Sequence, residues 1–243
     1  MKKLLKFIKY NLFPYLFAIP TFLKGNECQK YSDCVLLHKM LIKAPRYYDR
    51  AIEYPWVLKN VDLKKGNFLD VGSTVGKLFR KHLPKDVRVF AINTEKEQRF
   101  SQSENIQHVV GDIRKTEFKD SFFDVITCVS TLEHIGVEGR YNIKKDLSGD
   151  KKAMIEMHRI LKKGGKLLVT TPYGKKDVLP LNKLYNKERL VKLFKGFKVI
   201  SACYMKYDSD FYIWTEVTEK QAASTDWENE RWYSIGFFIL QKI

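Results

Sequence analysis

The chain has 243 residues, 44% hydrophobic and 14% aromatic, enough for one α/β-sized domain with an appendage and a sizeable core. That composition excludes a disordered or collagen-like chain. The net charge of +16 is weighted to the front, where residues 1–66 hold 13 Lys/Arg against 5 Asp/Glu. The bias points to an anionic partner at that end, whether lipid headgroups, nucleic acid or a phosphorylated substrate; the plainer alternative is that exposed positions default to lysine.

Residues 1–25 open with MKKLLKFIKY, a basic and apolar start, followed by an uncharged stretch from Tyr10 to Leu23. Those fourteen residues, with Pro14 and Pro20 among them, fall short of the roughly 20 needed to span a bilayer, and no small-residue cleavage site follows. Two readings stay open: an anchor lying on an anionic membrane surface, or a segment packed on the domain. Residues 26–65 read as a helical extension (VLLHKMLIK, then YYDRAIEYPWVLKNV). Of the four cysteines, Cys28 and Cys34 have no matching second pair and so indicate no zinc knuckle, while Cys128 and Cys203 sit in apolar runs. A reduced, cytoplasmic protein fits that usage.

From residue 66 to 243 short apolar strands alternate with amphipathic helices, the pattern of a doubly wound parallel sheet. Strands are expected at 67–71, 87–92, 107–110, 123–129 and 166–171, and helices at 76–83, 95–101 and 149–162, the last ended by Gly164-Gly165. A helix at 187–194 then precedes two further strands, FKVISACYM and RWYSIGFFILQK. Between them, residues 206–233 carry Tyr207, Phe211, Tyr212, Trp214 and Trp227 in a polar setting and read as a lid or substrate-side insertion.

The decapeptide NFLDVGSTVG at 67–76 is the most informative stretch: a strand ending in Asp70, then a turn through Gly72, Ser73 and Gly76 into a helix. Glycine serves where φ is positive or the backbone must approach a ligand, and the helix start exposes N–H groups to whatever sits above the strand. In an open α/β sheet that rim is where ligands bind. Asn93 ends the second strand, Gly111-Asp112 the third, and the fourth runs through Ser130 into Glu133-His134.

As a set these pieces resemble the class I S-adenosylmethionine-dependent methyltransferases, over residues 67–172. The resemblance implies a Rossmann-like, seven-stranded doubly wound sheet with an N-terminal helical extension, and S-adenosylmethionine as cofactor. It implies that the Gly72–Gly76 loop, with Ser73, meets the cofactor's amino-acid end above Asp70. Asp112 and the N–H of Ile113 would meet adenine, with Ser130 on the same rim. The ribose hydroxyls usually meet an acid where this chain has Asn93, a weaker acceptor, and Thr74 replaces the usual middle glycine of the loop. EYPWVLKN, STLEHIG, GDKKAMIEMHRILKKGG, TTPYGK and YNKERL further resemble a bacterial and archaeal subgroup that accompanies polysaccharide and cell-envelope glycan synthesis. A sugar hydroxyl is the acceptor that this resemblance implies; the basic segment 1–25, if it is an anchor, would place the reaction at the inner face of the membrane.

Methyl transfer to a hydroxyl needs alignment above all, and a base where the acceptor must lose a proton. His134 and Glu133, just past strand four, are the candidate catalytic residues. Tyr141 and Tyr173 are candidates to flank the acceptor, with core packing as the alternative. Glu133 and His134 with Asp146, Asp150 or His158 do not match a tight metal motif, so no metal is expected. Two rival readings are an RNA methyltransferase, suggested by charge alone, and a non-catalytic scaffold, suggested by Asn93 and Thr74.

Overall fold

The computed structural model describes residues 49–74, 80, 82–95, 105–138, 145–208, 213–230 and 232–243. The basic segment 1–25, most of the extension 26–65, most of the helices expected at 76–83 and 95–101, and Cys28, Cys34, His38, Gly76 and Tyr141 lie outside the described residues.

Helix α1 (Arg50–Asn60) precedes four strands, β1 (Gly66–Val71), β2 (Val87–Asn93), β3 (Ile106–Val110) and β4 (Phe123–Val129). A 3-10 turn (Leu132–His134), α2 (Gly149–Ile160), β5 (Leu161–Tyr173) and α3 (Lys187–Leu193) follow. The chain continues through β6 (Phe197–Asp208), β7 (Ile213–Val217), the short helices α4 (Glu219–Ala223) and α5 (Trp227–Glu230), and β8 (Ser234–Lys242). Eight strands form one mixed sheet in the order β3-β2-β1-β4-β5-β8-β6-β7. β1 pairs in parallel with both β2 and β4, so the chain reverses direction across the sheet between β1 and β4. Such a switch opens a crevice at the carboxyl ends of those two strands.

The central strands are buried on both faces, hence their near-continuous apolar runs. On one face Tyr54 and Val57 of α1 pack on Phe68, Val89, Val125 and Leu168. On the other, Ala153, Met154, Met157 and Ile160 of α2 pack on Leu69, Phe123, Ile126 and Leu167. Neighbours at i, i+3 and i+4 share a helix face, which is why those α2 positions form one stripe.

Three expectations are corrected. The sheet has eight strands rather than seven, because part of the segment read as a lid forms β7, antiparallel to a β6 that runs on to Asp208. Tyr207 and Trp214 from that segment pack with Ile235 and Phe237 as a core of their own. Helix α2 stops at Ile160 rather than 162, since Leu161 already pairs with Phe123 and the Gly164-Gly165 pair lies inside β5. The register shifts there between Phe123 and Val125, and Gly164 adopts φ +76°. The two glycines therefore make a bulge in the strand and not a helix cap.

At the amino ends of the strands the buried Asn67 joins three of them. Its side-chain amide donates to the Phe122 carbonyl at 2.8 Å and accepts from Arg88 Nε at 2.8 Å, while its backbone N–H donates to Asp124 at 2.8 Å. Asn67→Ala leaves the part-buried Phe122 carbonyl and the Arg88 guanidinium without this partner, a cost of about 1 kcal/mol. The expected result is a melting temperature lower by about 2–4 °C for each kcal/mol, measured by calorimetry.

Candidate active site

The turn after β1 is fixed by sterics. Gly72 has φ +87°, and a Cβ there would lie 2.5 Å from Thr131 Oγ1, so the loop after β4 seats directly on the turn after β1. Ser73 follows at φ 54°. The Gly72 N–H donates to the Ile92 carbonyl at 2.9 Å, tying the turn to β2. Beneath it Asp70 is fully buried and accepts from Thr74 and Thr127 hydroxyls, each at 3.3 Å. Thr74 thus has work of its own where glycine is usual: its hydroxyl reaches Asp70, and its carbonyl accepts from the Tyr54 hydroxyl at 3.1 Å.

Asn93 and Asp112 stand at neighbouring points of the rim, linked by the Gly111 N–H donating to the Asn93 carbonyl at 2.9 Å. The Asp112 carboxylate accepts from Arg114 through its backbone N–H at 2.8 Å and its guanidinium at 2.6 Å. Burial pulls that carboxyl upward, but the Arg114 bonds prevail and hold it below the ordinary carboxylate range. Arg114 reaches on to Asp146 at 3.0 Å. Ile113 drives its side chain into the core and so pins the turn.

Past β4 the site becomes acidic and dry. Glu53 of α1 is fully buried, and one of its oxygens accepts from both Ser130 Oγ and Thr170 Oγ1 at 2.5 Å. Its other oxygen is paired with Arg50. Ser130, expected to face the cofactor, instead commits its hydroxyl to this carboxylate. Asp49 caps α1 by accepting from the Arg50 N–H at 2.9 Å; burial, then Glu53, pushes its carboxyl up to about 6. Burial likewise lifts the Tyr54 hydroxyl to about 12.

Glu133 and His134 share the 3-10 turn, 3.6 Å apart between Oε1 and Nε2. Burial pushes Glu133 up to about 8 against the pull of its own N–H, with Glu53 and Asp49 adding repulsion. The turn is rigidly held. The Lys183 N–H donates to the Glu133 carbonyl at 3.2 Å, Lys183 Nζ to the Ile135 carbonyl at 3.0 Å, and Tyr185 to Leu132 at 3.3 Å and Asp150 at 3.1 Å. Gly136 closes the turn at φ +78°, where a Cβ would lie 2.1 Å from the Asp146 carbonyl.

The structure therefore gathers Asp70, Gly72, Ser73, Ser130, Glu133 and His134 at the β1/β4 switch, with Asn93 at the end of β2 and Asp112 and Ile113 in the turn after β3 beside it. Tyr173 does not belong with them. It is fully buried, packs 4.9 Å from the Tyr204 ring and donates to Glu219 at 2.7 Å, so it is a core residue. Asp49, Arg50, Glu53 and Tyr54 were missed. Their signal was in DRAIEYPWV, where Glu53 stands one helical turn before Val57, in the stripe that faces the sheet.

A family model described as "Caenorhabditis protein of unknown function, DUF268" matches residues 85–235, more than half of the chain. The chain belongs to that family. It is also similar to the uncharacterized protein MJ0638 of Methanocaldococcus jannaschii, at 28% identity over 157 residues, 61% of this chain and 62% of that protein. The match thus spans less than two thirds of the relative's length. Among solved structures, a SAM-dependent methyltransferase of Methanosarcina mazei superposes with TM-score 0.51 at 14% identity, over 77% of this chain and 97% of that one. The PH0226 protein of Pyrococcus horikoshii OT3 gives TM-score 0.52 at 16% identity, over 82% and 92%. The [4+2]-cyclase SpnF gives TM-score 0.53 at 16% identity, over 78% and 79%. These likenesses establish the Rossmann-like methyltransferase fold. The cyclase among them shows why a reaction has to be argued from the site rather than from the fold.

Two outcomes follow for stability. Glu53→Ala strands Arg50, Ser130 and Thr170 without their acceptor, and urea denaturation is expected to show a loss of about 3–5 kcal/mol. Glu133 behaves differently. Its carboxyl titrates near 8 in the folded chain against an ordinary 4.5, so across that interval the folded state binds more protons than the unfolded one. Stability must then fall as pH rises from about 4.5 to about 8. Glu133→Gln removes this slope: the variant is expected to match the wild type near pH 5 and to melt higher than it at pH 8.5.

Proposed function

We propose that this protein transfers the methyl group of S-adenosylmethionine to a hydroxyl of a glycan-like acceptor. The observation that carries the reading is the pairing, at the β1/β4 switch, of a fully buried carboxylate (Asp70) with a positive-φ Gly72-Ser73 turn. The residues present fit the cofactor. The turn has no room for a side chain at Gly72 because Thr131, which leads into Glu133 and His134, is seated on it. Asp70, Gly72 and Ser73 would hold the amino-acid end, Asn93 the ribose, and Asp112 with the Ile113 N–H the adenine. Both Asp112 oxygens already accept from Arg114, so adenine would meet the exposed 38% of that side chain beside the pair.

The bound cofactor supplies an activated methyl group, which leaves the protein three tasks: to orient, to exclude water and to accept a proton. Orientation is worth up to roughly 7–11 kcal/mol, and the 3-10 turn held by Lys183 and Tyr185 is built for it. Water is excluded where Glu53, Ser130, Thr170 and Glu133 are buried together. Glu133 and His134 are the proton acceptors at hand. The glycan acceptor rests on the sequence resemblance. Among the described residues no helix is long and apolar enough to cross a membrane. Contact with an anionic membrane surface is our reading of the basic segment 1–25, and it rests on that segment's sequence alone.

Calorimetric titration with S-adenosylhomocysteine, with NAD as control, tests the reading. Micromolar binding of the former alone is expected, weakened at least about tenfold by Asp112→Ala, the scale of one charge-assisted hydrogen bond. Binding of NAD in its place, or of neither, would contradict it.

A further inference from the structure

Glu133 is 2% exposed, and its Oε2 is buried with no hydrogen-bond partner among the described residues. An ionised carboxylate left that way is costly, so the group needs either a proton or a cation. Among the described residues, the charged groups that bear on it most are acidic. From α1 it faces Asp49, Glu53 and Arg50, and Arg50 is already paired with Glu53. His134 stands 3.6 Å from its other oxygen. Cys128 of β4, Tyr185 and Tyr233 also sense it, and Lys183, on the segment that holds the turn, is committed to the Ile135 carbonyl and Asp150. Through Thr131, which packs on Gly72, the same turn abuts the loop after Asp70.

Resting on the S-adenosylmethionine reading, we propose that Glu133 is a ligand-armed base: neutral in the empty protein, it gives up its proton when a sulfonium cation docks, and then takes the acceptor's proton. Burial and its acidic neighbours already hold the empty site's carboxyl near 8. An opposite charge within about 4–6 Å lowers a carboxyl by 1–3 pH units, enough to ionise it at neutral pH. In the transfer, Glu133 accepts the hydroxyl proton while the oxygen lone pair forms the O–CH3 bond. The electron pair of the breaking S–CH3 bond stays on sulfur. A sulfonium and a carboxylate thereby become a neutral thioether and a neutral acid, so the site ends as it began and holds no charge that would retain the product.

The test needs no acceptor. The full chain is titrated with S-adenosylmethionine and with S-adenosylhomocysteine at pH 7.5, in two buffers of different ionisation enthalpy, so that the heats report protons exchanged. The sulfonium ligand is expected to release about 0.5–0.8 proton more than the thioether, from a shift of 1–3 units. At pH 9.5 the difference should vanish, because Glu133 is already ionised without ligand. In Glu133→Gln it should be absent at both pH values, while Asp49→Asn should keep it. Equal release by the two ligands in the wild type overturns the proposal. So does a difference that survives in Glu133→Gln but disappears in His134→Gln, which would assign the proton to His134. Failure of S-adenosylhomocysteine to bind at all would instead remove the cofactor reading beneath it.

Discussion

One buried carboxylate ties the helix before the sheet to the ends of β4 and β5. Glu53 arrives on a helix that precedes the sheet in sequence, yet it receives hydroxyls from the ends of both β4 and β5 and the guanidinium of its own helix. A charge so placed is tolerable only because its oxygens are satisfied, and breaking the set is costly. The same contacts fix how α1 lies across the sheet. From that placement come the positions of Asp49 and Tyr54, and through Tyr54 the support of the Thr74 carbonyl in the turn after β1. One constraint thus couples the pre-sheet helix, the loop under the proposed cofactor and the ends of β4 and β5.

A second network does the same from the other side. Lys183 and Tyr185, in the stretch between β5 and α3, hold the turn that carries Glu133 and His134, and Asp150 at the start of α2 joins them. Glu133 is therefore not on a loose loop but on a turn tied to two later segments. Rigid support leaves little room for its Oε2, which has no partner among the described residues, to find relief by moving, and the proposed role of Glu133 rests on that.

Much of this was legible in the sequence, for identifiable reasons. Strands β1, β2 and β4 are buried on both faces and so read as apolar runs, and the Asp70–Gly72 turn needs glycine for a steric cause that any Cβ would reveal. Gly164-Gly165 misled, because a bulge and a helix stop use the same residue for the same dihedral freedom. Trp214 and Tyr207 misled in another way: their polar neighbours suggested a lid, while the rings themselves pack together, 5.2 Å between centroids. Tyr173 sat next to rim residues in sequence, and only the strand's path shows its ring turned into the core. Glu53 was the real omission. A carboxylate in an apolar helical stripe resembles an error in the pattern until the hydroxyls of Ser130 and Thr170, 77 and 117 residues away, are brought to it.

The central claim is that the crevice between β1 and β4 holds S-adenosylmethionine with its reactive end toward Glu133. A crystal structure of the protein grown with S-adenosylhomocysteine tests it most directly. The account predicts the ligand along the Asp70–Thr74 turn, adenine beside Asp112 and Ile113, and sulfur on the Glu133 side. Ligand bound elsewhere, or a turn at Gly72 left empty at saturating concentration, would contradict it.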